Sequence, residues 1–152
     1  DKRKVIEHIV FEIQKRSLSN RVVLHSFDWS LLEECFLIAP EMPRSYLSQL
    51  PESSDDPFDK PTEESSPDFA SFNCSIPEAI QAAGGHLWCP YFKDITVELV
   101  TEAHNLGLPV CTWTVNEVED IENMIDMGID GIITDYTDRA KKIFKSRGLS
   151  WQ

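Results

Sequence analysis

Residues 108–135 read LPVCTWTVNEVEDIENMIDMGIDGIITD. The first eight residues are rich in β-branched and aromatic side chains, which predicts a strand over 108–115. Asn116 is a candidate helix cap, and Glu119 three residues later completes a capping-box pattern. Val118, Ile121, Met124 and Ile125 recur at helical spacing, so the segment after the cap is an amphipathic helix. Gly128 suits the left-handed residue that ends such a helix. Residues 129–135, IDGIITD, then begin a second short apolar strand. A strand, a helix and a strand in under thirty residues make a βαβ unit, which implies a parallel sheet.

Working outward, residues 95–105 form a helix with Val97, Val100 and Ala103 inward, ended by Gly107. Ser75-Ile-Pro-Glu78 is a second helix start, with Ser75 as cap, Glu78 closing the box and Pro77 tolerated in the first turn. That helix runs to Ala83 and stops at Gly84-Gly85. Residues 86–92 are extended, either as part of the preceding strand position or as a short extra strand. Residues 44–50 form another strand. Residues 29–37 form a helix with Leu31, Leu32, Cys35 and Phe36 inward and Ser30 as cap. Residues 21–27 are a strand, and 3–16 an amphipathic helix carrying Val5, Ile9 and Ile13, with Ile6 and Val10 beside them. Residues 139–147 make a basic final helix with Ala140, Ile143 and Phe144 inward.

Three pieces carry a resemblance. Val22-Val-Leu-His-Ser-Phe-Asp28, Thr96-Val-Glu-Leu-Val-Thr-Glu-Ala-His-Asn-Leu-Gly-Leu108, and Trp113-Thr-Val-Asn116 followed by Gly128-Ile-Asp-Gly-Ile-Ile-Thr-Asp135 occur in the order found in the glycerophosphodiester phosphodiesterase family. The chain resembles the C-terminal half of that family's domain from about Val22 to Arg139. The family commonly has Pro where Thr137 stands. The resemblance implies an α/β fold, the C-terminal half of a (β/α)8 TIM barrel. Parallel strands five to eight would alternate with helices and stay incomplete as a closed barrel. With 152 residues the chain falls short of the roughly 200 to 250 that a whole barrel needs. A first residue other than Met predicts a fragment or processed piece.

The resemblance also implies a phosphoric diester hydrolase of lipid and glycerol metabolism. It would convert glycerophosphodiesters to glycerol 3-phosphate and an alcohol with a divalent cation, Mg²⁺ or Ca²⁺. The family's His-Arg, Glu-x-Asp, further His and Glu-x-Lys signatures are expected on an N-terminal half. Glu12-Ile-Gln-Lys15 has the last spelling, but Lys15 stands too close to the strand at Arg21 for a parallel crossover of about a dozen residues. It is read as helix. No catalytic or metal-ligating residue is therefore assigned to this chain.

What carries over is a substrate-pocket wall: Ser26, Phe27, Trp113 and Asn116, at the strand C-termini where barrel enzymes bind substrate. Each has a plainer alternative. Trp113 and Phe27 can be core, Asn116 can be only a helix cap, and Ser26 can position backbone. His8, His86 and His104 read as ordinary surface or packing residues. Alternation along the strand turns His25 away from Ser26. Asp135 either orients pocket groups or caps the last helix.

Net charge is −12 and pI near 4.6. Half of that charge lies in 51–68, where seven carboxylates face Lys60 alone. This stretch is expected to be an acidic, flexible loop within the domain, either a flap over the rim or a tolerated insertion. Such acidity argues against nucleic acid and anionic membranes as partners. No stretch is apolar enough to be a transmembrane segment, and Cys35, Cys74, Cys89 and Cys111 have no metal-like spacing. Free thiols fit a reducing compartment, so a cytoplasmic location is expected. Open strand edges predict pairing with an N-terminal half or self-association. The competing expectation is a non-catalytic half-barrel module for binding or assembly.

Overall fold

The computed structural model describes residues 1–50 and 67–150. The expected acidic loop therefore falls almost wholly outside the described residues. Its last residue, Asp68, caps a 3-10 turn at Phe69–Ser71 by accepting from the Ala70 amide.

Helices α1 (Lys2–Lys15), α2 (Trp29–Ile38), α3 (Ile76–Ala82), α4 (Val97–Asn105), α5 (Val118–Asp126) and α6 (Thr137–Ser146) alternate with strands β1 (Leu24–Ser26), β2 (Arg44–Ser48), β3 (Leu87–Pro90), β4 (Cys111–Thr112) and β5 (Gly131–Ile132). All pairings are parallel, in the order β1-β2-β3 and β4-β5. Bridges from Trp88 to Val110 and from Tyr91 to Trp113 join the two groups. The described chain thus forms one run of five parallel strands in sequence order, with no closed barrel. Residues 86–92 contain β3, a sheet strand in its own right between β2 and β4. Five strands stand where four were expected, because the four-residue Leu87–Pro90 ladder is flanked by Gly-Gly and Pro and shows little alternation.

The main core lies between sheet and helices. Tyr46, Trp88 and Val110 from the strands meet Leu32, Ile80, Val100, Ala103, Ile121, Met124, Ala140 and Ile143. A second cluster, Ile6, Val10, Cys35, Ala39 and Met42, seats α1 on α2. Arg44 is also buried. Its guanidinium donates to the carbonyls of Met42 at 3.1 Å and Gly84, and it stacks over Phe36 at 4.8 Å.

Several expectations are corrected. Val5, Phe36, Val97 and Val118 remain exposed, each at the margin of an apolar face whose centre is filled by Ile6, Cys35, Val100 or Ile121. Asp28, not Ser30, caps α2, since its carboxylate can accept from the Ser30 amide at 3.1 Å. The final helix begins at Thr137, just ahead of the Arg139 start that the basic run suggests. The 108–115 strand is extended, but only Cys111–Thr112 hold a ladder. The capping box at Ser75 and Glu78 is present, and Gly128 has φ 79°. Among the described residues, no helix is long and apolar enough to cross a membrane.

Candidate functional site

Parallel strands place their C-terminal ends on one rim. Phe27 follows β1 and Trp113 follows β4, with β2 and β3 between them. Sheet spacing alone holds such strands about 14 Å apart. The two rings nevertheless stand 5.3 Å apart, edge to face at 86°. They meet by leaning across the rim. Tyr91, at the end of β3, lies 5.3 Å from Trp113 and joins them. Trp113 is fixed further by its indole N–H, which donates to the Cys89 carbonyl at 2.9 Å. All three aromatic residues are half-buried.

Ser26 does not point into this cluster. Its Oγ accepts from the Asp28 amide at 3.0 Å and shapes the turn into α2. His25 lies on the other side, with Nδ1 2.9 Å from Ser45 Oγ on β2. Desolvation of the imidazole lowers its pKa from the ordinary value.

Asn116 is not the helix cap. Glu117 takes the N-cap position without a side-chain bond. The Asn116 amide instead turns to the end of β5. Its Nδ2 donates to Asp135 Oδ2 at 2.9 Å, and its Oδ1 accepts from the Asp135 amide at 3.0 Å and from Thr134 Oγ1 at 3.1 Å. Three partners on one neighbouring loop outweigh the single bond a cap would give. Asp135 thereby orients a rim side chain, and Tyr136 takes the N-cap position of α6.

Two contributors were not legible from local pattern. Arg139 donates to the Asn116 carbonyl, lies 3.6 Å from Glu117 and stacks 4.3 Å over Tyr136. Tyr91 has one signal in the sequence, its position at the end of an extended stretch.

The rim carboxylates are already engaged. Asp28 pairs with Lys2 at 2.7 Å. Burial opposes its charge, but hydrogen bonds from Lys2 and Ser30 and the Lys2 charge outweigh this and hold the carboxyl below its ordinary range. Asp94 accepts from the Leu50 amide at 2.7 Å. Among the described residues, no group of three or more His, Cys, Asp or Glu side chains gathers as a metal site. The donors for a divalent cation are not assembled by these residues.

Residues 1–139 match the model of the glycerophosphoryl diester phosphodiesterase family. A solved protein from Silicibacter pomeroyi DSS-3, assigned to the glycerophosphoryl diester phosphodiesterases, is 47% identical with a TM-score of 0.88. The similarity covers 99% of this chain and 47% of that one. The glycerophosphodiester phosphodiesterase of Bacillus altitudinis is 43% identical over 68 residues, 43% of this chain and 26% of its own length. An Oleispira antarctica phosphodiesterase, solved with the product sn-glycerol-3-phosphate, shares the fold at 16% identity and a TM-score of 0.70, over 95% of this chain and 50% of its own. The chain thus spans about half or less of the length of each. With the family model matched over most of its length and these folds superposing on nearly all of it, the chain belongs to the glycerophosphoryl diester phosphodiesterase family.

Proposed function

We propose that this chain is the C-terminal half of a barrel that hydrolyses glycerophosphodiesters to glycerol 3-phosphate and an alcohol. The supporting observation is a division. The family match runs through residues 1–139, yet the chain covers 47% of its Silicibacter pomeroyi relative and gathers no three-donor metal site among its described residues.

In this reading the hydrolytic groups and the divalent cation, which would polarise a phosphoryl oxygen and make the phosphorus more electrophilic, belong to the other half. This half supplies a wall. Phe27, Tyr91 and Trp113 form an apolar surface that excludes water beside the glycerol or the leaving alcohol. Asn116, held by Asp135 and Thr134, presents a fixed amide edge at the same rim. Ser26 acts on backbone rather than substrate. The Oleispira antarctica complex with sn-glycerol-3-phosphate supports a small-molecule ligand for the fold. The edges of β1 and β5 are where an N-terminal half, or a second copy, would dock. Four free cysteines suit a reducing, cytoplasmic setting.

The test is glycerol 3-phosphate release from a glycerophosphodiester by the purified chain with Mg²⁺ or Ca²⁺. No release is expected. Metal-dependent release by this chain alone overturns the division between halves.

A further inference from the structure

Gln49 follows the last residue of β2 and is 4% exposed. Its neighbour Ser48 faces the core, where Ser48 Oγ accepts from the Trp88 indole N–H at 2.9 Å. Side chains alternate along an extended strand, so Gln49 turns to the opposite face. That face carries the aromatic rim. The β2–β3 ladder sets Leu47 beside Cys89 and Ser48 beside Pro90. The Tyr91 amide then donates to the Ser48 carbonyl at 2.8 Å, which carries the pairing one residue further and brings Gln49 level with Tyr91. Tyr91 in turn is bridged to Trp113. Gln49, Tyr91 and Trp113 therefore form one row across three adjacent strand ends. The rings of Phe27 and Trp113, 5.3 Å apart, reach over β2 and β3 to meet across it.

The amide in this row is unbonded. Among the described residues, no group makes a hydrogen bond to the Gln49 side chain. A polar group taken out of water without a partner is costly, so a buried carboxamide left unbonded by its own chain calls for a partner from outside it. Arg44 Nε and Thr112 Oγ1 also lack partners, but both are sealed from solvent. The Gln49 amide is not sealed, and its small remaining exposure leaves it open to a ligand.

The chemistry of the row selects that ligand. A carboxamide donates through Nε2 and accepts through Oε1, and a hydroxyl also does both. A phosphate oxygen accepts and is met best by cations, whereas amide, phenol and indole are all neutral. We propose that Gln49 recognises a hydroxyl of the substrate's glycerol moiety, with the glycerol carbon chain against Tyr91 and Trp113. The assignment rests on the reading of this rim as a substrate wall. It adds the polar group that distinguishes a polyol from a plain alkyl chain. A site that bonds a hydroxyl rejects the analogue lacking it, because its own polar group is then left unpaired.

The test uses the 152-residue chain labelled with ¹⁵N. Its Gln49 side-chain amide signals are identified by their loss in Gln49→Leu. Two compounds are titrated at equal concentration: sn-glycerol 3-phosphate, and propyl phosphate, which has the same phosphate and three-carbon chain without hydroxyls. The expected result is a saturable shift of the Gln49 signals with the first and none with the second. A second readout is urea unfolding of Gln49→Leu. An amide that bonds nothing in its own chain can be replaced by an apolar group of similar size without loss, so the midpoint should equal or exceed that of the parent. No shift with glycerol 3-phosphate, which would leave the amide to water alone, overturns the proposal. So does an equal shift with propyl phosphate, a lowered midpoint, or a Gln49→Leu chain that does not fold. Turnover enters neither readout, so failure here strikes the role of Gln49 and leaves the hydrolase reading to its own assay.

Discussion

The side-chain amide of Asn116 lies 2.9 Å from the carboxylate of Asp135 and joins the ends of the last two strands. Replacing Asn116 with Ala removes three hydrogen bonds and strands Thr134 Oγ1 and the Asp135 amide. The site is half-open to water, so the cost is about 1 to 2 kcal/mol. Urea unfolding monitored by circular dichroism checks it. Asn116→Asp sets a second carboxylate against Asp135 and should be the worse of the two at neutral pH. An Asn116→Ala chain as stable as the parent would show that the network contributes nothing.

Trp113 is held by one backbone acceptor and two rings. Trp113→Ala should cost about 3 kcal/mol, the low end for an aromatic truncation because the side chain is only half-buried. Trp113→Phe keeps the ring contacts and loses the bond to Cys89, and should cost about 1 kcal/mol. Equal losses in the two variants would mean that ring packing at the rim is immaterial.

Two glycines separate packing from backbone geometry. A Cβ at Gly85 would lie 2.4 Å from Ile80 Cγ2 and 2.9 Å from Tyr46 Cε2, both in the core. Gly85→Ala should cost about 1 to 3 kcal/mol through overpacking. Gly128 has open space but φ 79°, so Gly128→Ala should cost about 1 kcal/mol from backbone strain. Thermal melts of the two variants should rank Gly85→Ala as the less stable.

Stability should also respond to mild acid. Desolvation lowers the pKa of His25, and desolvation followed by the Arg44 charge lowers that of His86. The folded state therefore binds fewer protons than the unfolded state, and stability rises with pH. The gain is complete above the ordinary value of 6.5 and is lost as pH falls from there through the folded pKa values. Urea midpoints across the histidine range, from about pH 7.5 to about pH 5, should fall in the parent and flatten in His25→Gln/His86→Gln. An unchanged slope in the double variant removes these residues from the account. The Asp28 ion pair acts in a separate window, since its lowered pKa withdraws stability only below the ordinary 3.8.

Much of this fold is legible in the sequence because the βαβ units are written in local signals. The capping box at Ser75, the positive-φ Gly128 and the 3.6-residue periodicity of α4 and α5 each describe a few neighbouring residues. The margins of apolar faces were less legible. Val97 and Val118 have the right spacing, yet packing reaches only one side of each helix. The rim was readable in part. Phe27 and Trp113 carry the family resemblance, but their contact depends on strands three places apart. The Asn116 partners lie 18 and 19 residues away, and Arg139 lies 23 away. No local rule reports such distances, and a nearby helix start made the cap the natural reading.

The most direct test of the central claim joins this chain to the N-terminal half of its 47% identical Silicibacter pomeroyi relative and assays glycerol 3-phosphate release with a divalent cation. The account predicts product from the folded chimera, less product when Trp113→Ala is introduced, and none from either half alone. Release by this chain alone, or a folded, metal-loaded chimera with no turnover, would contradict it.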